Sequence, residues 1–272
     1  MCSSDLTLEE AEAAVTDMLS DNKFGDAGAR VVVEGFLEGE EASFIVMVDG
    51  EHVLPMATSQ DHKRIGDGDT GPNTGGMGAY SPAPVVTDAV FEKVMSRVIL
   101  PTVQGMAAEG NPYTGFLYAG LMIDGAGNPS VIEYNCRFGD PETQPIMHRL
   151  QSDLVALCQS ALAGTLDTTT ASWDPRPAVG VVLAAGGYPG SYEKGHAISG
   201  LDGDWPATTK VFHAGTRDDG GTTVTEGGRV LCVSALGDTI QEAIAAAYAG
   251  VDRIRWKDMV CRRDIGWRAI DR

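Results

Sequence analysis

The sequence predicts an α+β protein in which antiparallel sheets with flanking helices precede a smaller C-terminal α+β domain. The first part is predicted by two pairs of apolar runs, each joined by a short turn, and by helical periodicity between them. A polar, proline-containing segment at 164–177 has no apolar pattern and is typical of a domain boundary. We therefore divide the chain into residues 1–163, a linker at 164–177 and a second domain at 178–272.

The first elements follow from local patterns. Thr7 and Glu10 are spaced as a capping box, which predicts a helix beginning there. The run of three valines at 31–33 predicts a buried strand, and Asp49-Gly50 predicts a tight hairpin turn between two apolar runs. Residues 59–84 are rich in glycine and have almost no apolar periodicity, which predicts a structureless loop, either a functional lid or a disordered segment.

The later elements are predicted in the same way. Residues 88–108 have helical spacing with a break at Pro101, because proline disrupts a helix interior. A helix is also expected over about 146–162. Further strands are expected at 116–123, 130–136, 178–185, 210–215 and 229–236, and a last helix at 239–252.

Composition excludes several classes of function. The chain of 272 residues has 38 acidic and 20 basic side chains, a formal net charge of −18, which argues against a nucleic acid or anionic membrane as partner. No apolar run reaches membrane-span length and no signal peptide is visible. The 5 cysteines are scattered without a CxxC pair, which favours reduced thiols in the cytoplasm.

The segment VIEYNCRFGDPE at 131–142 carries the strongest chemical signal. Alternate residues of a strand share one face, so Glu133, Asn135 and Arg137 are expected opposite a core-facing set. That core-facing set is Ile132, Tyr134 and Cys136. Oxygen donors beside a guanidinium suit a divalent cation and a phosphate group. A solvated strand face is the alternative, but the apolar strand at 116–123 indicates a sheet covered on both sides.

Two further stretches have weaker signals. VVVEGFLEGEE at 31–41 has a strand end beside Phe36 and Leu37, which suits an adenine, and Glu41 suits a ribose hydroxyl; an edge turn is the alternative. The charge run 61–64 next to the glycine-rich loop suits an anion-closing lid, although charge runs are usually solvated. Its members are Asp61, His62, Lys63 and Arg64.

Other enzyme classes find little support. The chain has no GxSxG and no HExxH, and its AAGGYPG turn at 184–190 lacks the spacing of a nucleotide-binding glycine motif. Asp140 and Glu142 are only two residues apart, whereas a glycoside hydrolase needs its carboxylates on opposite sides of a sugar.

The two long motifs SQDHKRIGDGDTGPNTGGMGAYSP and EYNCRFGDPETQ resemble those of the ATP-grasp ligases, specifically the glycinamide ribonucleotide synthetase (phosphoribosylamine–glycine ligase) family. The similarity extends from about Thr7 to the CRRDIGWRAI segment near the C-terminus. The resemblance implies a partial ATP-grasp fold, followed by the C-terminal α+β domain. It also implies that a substrate-binding domain and a phosphate-covering loop precede this part in the whole enzyme.

The resemblance also implies roles for individual residues. Glu133 and Asn135 match Mg²⁺ or Mn²⁺ ligands, and Arg137 matches the catalytic arginine facing the transferred phosphate. The implied ATP contacts are Glu34, Phe36, Leu37 and Glu41. The implied substrate or lid residues are Asp61, His62, Lys63, Arg64, Asn73, Thr74, Gly75, Gly76, Asp140 and Glu142. The preceding strand has no acid before Asp124, which leaves the number of metals open.

The implied activity is ATP-dependent ligation of glycine to 5-phosphoribosylamine through a glycyl phosphate, a step of purine biosynthesis. The chain itself is expected to be the C-terminal portion of that enzyme and inactive alone, since it lacks the phosphate-covering loop. The alternatives are another ATP-grasp carboxylate–amine ligase or carboxylase, and a non-catalytic remnant.

Overall fold

The computed structural model describes residues 7–20, 30–270 and 272, and the side chains of Asp17 and Ser20 are excluded from that description. The chain divides into two units, Met1–Gly39 and Glu40–Arg272. No helix in the described part of the chain combines the length and the apolar character that a membrane span requires. The described cysteines, which are Cys136, Cys158, Cys232 and Cys261, are free, and Cys2 lies outside the described residues.

The first unit contains the predicted capped helix, α1 (Leu8–Ser20). The capping box is confirmed: Glu10 N–H donates to Thr7 Oγ1 over 3.3 Å, and Thr7 N–H donates to Glu10 Oε2 over 2.8 Å. The strand predicted at 31–33 is wrong. Residues 30–38 have no strand structure, and Val32 and Val33 are each 83% exposed, because no strand among the described residues of this unit pairs with them.

The second unit has thirteen strands among the described residues. They are β1 (Glu40–Asp49), β2 (Val53–Pro55), β3 (Gln60–Asp61), β4 (Arg64–Gly66), β5 (Thr70–Asn73), β6 (Gly78–Ser81), β7 (Thr114–Ile123), β8 (Pro129–Asn135), β9 (Ala178–Ala184), β10 (Thr209–His213), β11 (Thr216–Asp219), β12 (Thr222–Thr225) and β13 (Arg229–Leu236). Its helices are α2 (Asp88–Val94), α3 (Leu100–Ala108), α4 (Thr143–Arg149), α5 (Leu154–Ala163) and α6 (Ile240–Val251).

The strands form two larger antiparallel sheets. A four-stranded sheet has the order β2-β1-β7-β8, and a five-stranded sheet has the order β10-β13-β9-β6-β3. The hairpins β4–β5 and β11–β12 are separate. The pairing of β6 with β9 joins strands from both sides of the predicted linker into one sheet, and the boundary at 164–177 stays a prediction.

The four-stranded sheet is covered on both faces of its central strands. On one face, Phe44 and Leu121 pack with Val94 and Val103 of the α2–α3 region. On the other face, Ile45 and Tyr118 pack in a cluster with Ile146 of α4 and Leu157 of α5. A third core joins the five-stranded sheet to α6. The alternation of apolar side chains along β1 and β7 therefore serves two cores at once.

Several predicted connections are confirmed with changes in detail. The hairpin β1–β2 forms, but Val48 pairs with Val53, so Gly50 and Glu51 are the central turn residues and Gly50 alone has a positive φ, of 105°. The break near Pro101 is a π-helical turn, Met95–Ile99, between α2 and α3. The helix predicted over 146–162 is two helices, because Asp153 caps the amides of Val155 and Ala156 and so begins a new helix.

The prediction of a structureless segment at 59–84 is wrong. It contains four short strands, and Gln60, His62, Met77 and Tyr80 within it are fully buried. Periodicity failed to reveal them because strands of two to four residues are too short to show an alternating pattern. The segment is therefore part of the folded sheet system.

Candidate functional site

Strands β1, β7 and β8 bring polar side chains to one face of the four-stranded sheet. Ser43 pairs with Gly120, which in turn pairs with Glu133, and Tyr118 pairs with Asn135. Because directly paired residues lie on the same face, Glu133 and Asn135 share the face of Ser43 and Tyr118. This confirms the predicted common face of Glu133 and Asn135.

A β-bulge in β8 sets that orientation. Gly120 pairs with Glu133 but Leu121 pairs with Val131, so Ile132 is an extra residue without a partner opposite it. The bulge shifts the alternation by one residue, which places Val131 and Glu133 on opposite faces. A side chain at Gly120 would place its Cβ 3.2 Å from Glu133 Cγ, so the glycine leaves the space over which Glu133 lies.

The predicted burial of β8 is wrong. It is an edge strand, and Tyr134 is 43% exposed and Cys136 is also exposed. Tyr134 Oη is 2.8 Å from Thr102 Oγ1 of α3, on the face opposite Glu133. Glu133 itself is exposed and Asn135 is half-buried, so their oxygens are open to a ligand.

A cation from the glycine-rich segment lies beside this face. Lys63 Nζ is 2.5 Å from Glu41 Oε2, and both side chains are about a third exposed, at 29% and 37%. Burial alone would lower the pKa of Lys63, but the carboxylates of Asp61, Glu41 and Glu133 raise it above its ordinary value. Lys63 is therefore a permanent positive charge within a group of acids.

Two buried carboxyls complete the group. Asp61 is 9% exposed, and burial, together with the charge of Glu142, raises its pKa to about 8 while Lys63 opposes that shift. Glu142 is 3% exposed and accepts a hydrogen bond of 2.7 Å from Ser43 Oγ, which is also 3.0 Å from Tyr118 Oη. We call Glu41, Asp61, Lys63, Glu133 and Glu142 the acidic cluster.

Ser43 and Tyr118 also belong to this site, although they are not among the residues predicted from the sequence. Their contacts with Glu142 and with each other join positions 75 and 99 residues apart, which no local spacing reveals. The available signal was a serine inside the apolar run of β1, since a polar residue buried in a strand needs a partner.

Asp140 and Glu142 point to different partners. Asp140 Oδ2 forms an ion pair of 3.1 Å with Arg229 Nη2, whereas Glu142 bonds Ser43 in the interior. Their separate environments give no support to a pair of carboxylates acting on one sugar. Arg137 follows the end of β8 with an exposed guanidinium, which donates to the carbonyl of Phe138 over 2.8 Å.

The residues expected to form the lid are held by hydrogen bonds. Thr74 donates to the carbonyl of Lys63 from both its amide, over 2.7 Å, and its hydroxyl, over 2.8 Å. Gly75 and Gly76 accept from Arg229, and Asn73 is paired with Arg64 in the β4–β5 hairpin. The structure therefore brings 73–76 next to Lys63 and Asp140 in a fixed arrangement.

His62 and Arg64 are turned toward the C-terminal part of the chain. His62 is fully buried, and its Nε2 accepts a 3.1 Å hydrogen bond from the Gly266 amide. Burial lowers the pKa of His62, and the charges of Arg268 and Arg262 add to that effect although Asp69 opposes it. The carbonyl of Arg64 accepts from Arg262 over 3.2 Å. Both residues contribute to fixing the hairpin in place.

The chemistry of Glu133 and Asn135 fits a hard divalent cation, since both offer oxygen atoms from one face. Within the described ranges, no three or more His, Cys, Asp or Glu side chains are grouped to hold a metal ion. An ion held by Glu133 and Asn135 would thus need further oxygens from a ligand or water. Glu34, Phe36 and Leu37 belong to the other unit, where Phe36 is 65% exposed, and their nucleotide contacts stay a prediction.

Comparisons with known proteins agree with these motifs. The model of the phosphoribosylglycinamide synthetase ATP-grasp (A) domain matches residues 5–143, and that of the C domain of the same enzyme matches residues 178–268. Proteins named phosphoribosylamine–glycine ligase are 71% identical in Vibrio cholerae over 267 residues and 69% identical in Escherichia coli K12 over 268 residues. Each match covers 98% of this chain, which spans 62% of the relative's length.

Solved structures show the same fold. The crystal structure of phosphoribosylamine–glycine ligase from Thermotoga maritima superposes with a TM-score of 0.80 at 34% identity, covering 93% of this chain and 63% of that one. The biotin carboxylase domain of Hydrogenobacter thermophilus 2-oxoglutarate carboxylase has a TM-score of 0.69 at 15% identity, covering 93% and 54%, and shares the fold alone. The chain therefore has the predicted α+β ATP-grasp architecture and belongs to the phosphoribosylglycinamide synthetase family.

Proposed function

We propose that this chain, within a protein of its relatives' length, catalyses the ATP-dependent ligation of glycine to 5-phosphoribosylamine. The observation that carries the proposal is the single sheet face on which Glu133 and Asn135 present oxygen donors, with the cation of Lys63 beside it. The chain is also 71% identical to a ligase of that name. The products are glycinamide ribonucleotide, ADP and phosphate, a step of purine biosynthesis. A cytoplasmic location belongs to the same proposal.

The reaction has two steps. A glycine carboxylate oxygen attacks the γ-phosphorus of ATP, forming a C–O–P linkage as the bond to the bridging oxygen of ADP breaks. The amine of phosphoribosylamine then attacks the acyl carbon, forming the amide bond as the bond to the phosphate oxygen breaks and the nitrogen loses a proton. Both steps require positioning and charge neutralisation rather than a protein nucleophile.

Named residues have distinct tasks in this proposal. Glu133 and Asn135 would hold Mg²⁺ or Mn²⁺, which when bound neutralises charge on the phosphate oxygens. Arg137, exposed beyond the end of β8, faces the transferred phosphoryl group, and Lys63 adds a second positive charge. Glu34, Phe36, Leu37 and Glu41 contact the nucleotide.

The glycine-rich segment lines the substrate pocket as a fixed wall. The contacts of Thr74 with Lys63 and of Gly75 and Gly76 with Arg229 support this assignment, which also includes Asn73. An acyl phosphate is destroyed by water, so a pocket wall made of folded backbone protects the intermediate without having to close first. The same proposal assigns the other substrate or lid positions to Asp61, His62, Arg64, Asp140 and Glu142.

The test is a chimera in which residues 7–272 replace the matching part of the Vibrio cholerae relative. We expect ADP release that requires both glycine and phosphoribosylamine, with glycinamide ribonucleotide detected as product. Bicarbonate and other amino acids serve as alternative substrates, and residues 1–272 alone are expected to be inactive. ADP release that requires bicarbonate in place of glycine would contradict this proposal and indicate a carboxylase. A chimera without any activity would indicate that the chain is not catalytic.

The matched variant is Glu133→Ala in the same chimera. Glu133 is exposed, so its removal should change the free energy of unfolding by only about 0.5 kcal/mol, the usual range for surface positions. Metal-dependent turnover should disappear, because one of two protein oxygen ligands is lost. Full turnover in Glu133→Ala, measured alongside urea denaturation, would remove the metal assignment.

A further inference from the structure

Arg229 is the first residue of β13, and a β-bulge directs it away from the regular ladder. Arg229 pairs with Ala184 and Leu231 pairs with Leu183, so Val230 is the extra residue. Bulges commonly re-aim a side chain at the end of a strand. Here the re-aimed guanidinium leaves the five-stranded sheet and reaches the candidate site.

The guanidinium joins two segments that are far apart in sequence. Nη1 donates to the carbonyls of Gly75, over 2.7 Å, and Asp140, over 2.9 Å, while Nη2 pairs with Asp140 Oδ2 at 3.1 Å. Gly75 also donates its amide to Tyr188 Oη over 2.9 Å. The planar fork of the Arg229 guanidinium makes its contacts with Gly75 and Asp140 at the same time, and the compact ammonium of lysine does not have this geometry.

The glycines at this junction are there because nothing larger fits. A Cβ on Gly75 would lie 2.9 Å from Arg229 Cζ, and a Cβ on Gly76 would lie 2.2 Å from Pro141 Cδ. Gly76 also has a positive φ of 110°, which other residues rarely adopt. The close approach of segments 74–76 and 139–141 therefore depends on both the glycines and the arginine.

Each of the two segments leads directly to the acidic cluster. Segment 74–76 bonds the backbone of Lys63 through Thr74, and segment 139–141 continues into Glu142, which bonds Ser43. Arg229 thus fixes the distance between the two parts of the chain that supply a cation and a buried carboxyl to the site.

We propose that Arg229 is a positioning residue of the active site, through which the five-stranded sheet sets the placement of Lys63 and Glu142. This inference deepens the proposed function and, for its kinetic part, rests on it. Arg229 does not touch the reacting atoms in this proposal. It acts by holding 74–76 against 139–141.

The expected effects of losing Arg229 on stability and on catalytic rate differ in size, and this difference distinguishes a positioning role from a stabilising one. The ion pair is partly exposed, with Arg229 at 22% and Asp140 at 50%, and such pairs contribute little to stability. A displacement of about 1 Å in a catalytic group can cost on the order of 10²-fold in rate. Loss of Arg229 should therefore affect turnover far more than folding.

The first experiment uses residues 1–272 and needs no activity. Amide hydrogen exchange at Thr74 and Gly75 is compared among wild type, Arg229→Ala and Arg217→Ala. Arg217 of the separate β11–β12 hairpin is the control, an arginine that is 48% exposed and paired with Asp219 and Glu226 but outside the site. We expect at least about tenfold faster exchange in Arg229→Ala alone. Unchanged exchange there, or equal acceleration in Arg217→Ala, would overturn the proposal.

The second experiment measures the kinetics of the chimera. Arg229→Ala should lower kcat on the order of 10²-fold with the KM for ATP changed less than about twofold, and millimolar methylguanidinium should restore part of the loss. Wild-type kcat in Arg229→Ala, with Glu133→Ala inactive, would refute the positioning role. An inactive wild-type chimera would instead refute the proposed function. The hydrogen-exchange experiment would still test whether Arg229 holds segment 74–76 in place.

Discussion

At the scale of single residues, Asp61 shows how burial changes the chemistry of a carboxyl group. Its pKa is raised to about 8 by burial and by the charge of Glu142, against an ordinary value of about 3.9 in an unfolded chain. The folded protein therefore binds a proton at Asp61 between about pH 4 and pH 8 that the unfolded chain releases. This contribution to stability is fully present below about pH 4 and is lost as the pH rises through 8.

Replacing Asp61 by Asn should remove that pH dependence. We expect the free energy of unfolding of the wild type to fall more steeply from pH 5 to pH 8 than that of Asp61→Asn, as measured by urea denaturation at each pH. Asp202→Asn, which removes an exposed carboxylate, is the control for the change in net charge. If the free energies of unfolding of Asp61→Asn and wild type change in parallel from pH 5 to pH 8, Asp61 is not protonated in the folded protein.

Among single residues, the sequence predicts those site positions that depend on local spacing. Glu133 and Asn135 were placed on one face by their two-residue spacing alone, and the pairing with Gly120 and Tyr118 confirms it. The hydrogen bond from Ser43 to Glu142 could not be predicted from the sequence, because it joins two positions 99 residues apart. Local spacing describes one strand, whereas a site is assembled by the pairing and packing of several.

At the scale of elements, β8 shows where an alternating pattern misleads. The pattern predicts that its apolar residues face a core, yet the strand is at the sheet edge and contains a bulge at Ile132. Neither property has a sequence signature here, since burial depends on which strands lie alongside. The capped helices α1 and α6 were predicted better, because the capping residues Thr7 and Thr239 act within one turn of the chain.

The β4–β5 hairpin owes its order to ion pairs with the C-terminal segment. Arg262 is fully buried and bonds Asp69 Oδ1 and Asp264 Oδ2, each over 2.7 Å, while Arg268 Nη2 is 2.5 Å from Asp69 Oδ2. The pKa of Asp69 is lowered well below its usual range by the nearby His62, whose Nδ1 is 3.8 Å away, by the hydrogen bond from Arg262 and by the charges of Arg268 and Arg262, although burial opposes the shift. These charges are stable in the interior only because they are paired.

Removing the buried arginine should therefore be costly. Arg262→Ala should lower the free energy of unfolding by about 3 kcal/mol, because Asp264 loses its guanidinium partner, Asp69 keeps only Arg268, and a fully buried side chain is removed. The adjacent Arg263→Ala is a matched control: that side chain is 48% exposed, pairs with Asp252, and should cost less than about 1 kcal/mol. Urea denaturation at neutral pH measures both, and equal losses in the two variants would contradict the account.

At the scale of the whole molecule, the two larger sheets depend on different parts of the chain. The four-stranded sheet is built from residues 40–135. The five-stranded sheet takes β3 and β6 from before the predicted linker and β9, β10 and β13 from after it. Met77 and Tyr80, fully buried, pack in the same core as Val181 and Leu231. A segment that looked like a loop in sequence therefore completes the C-terminal core.

This arrangement predicts which fragments of the chain fold stably. A fragment of residues 178–272 would lose the pairing of β9 with β6 and the packing of Met77 and Tyr80, leaving a long apolar strand as an open edge. We expect it to have a clearly lower Tm than residues 40–272, or to aggregate, in side-by-side thermal unfolding by circular dichroism. Residues 40–272 should unfold with the Tm of the full chain, because the described hydrophobic cores all lie within that range. A fragment 178–272 that unfolds cooperatively at the same Tm would show that β9 does not need β6, and that 164–177 separates two independently folding domains.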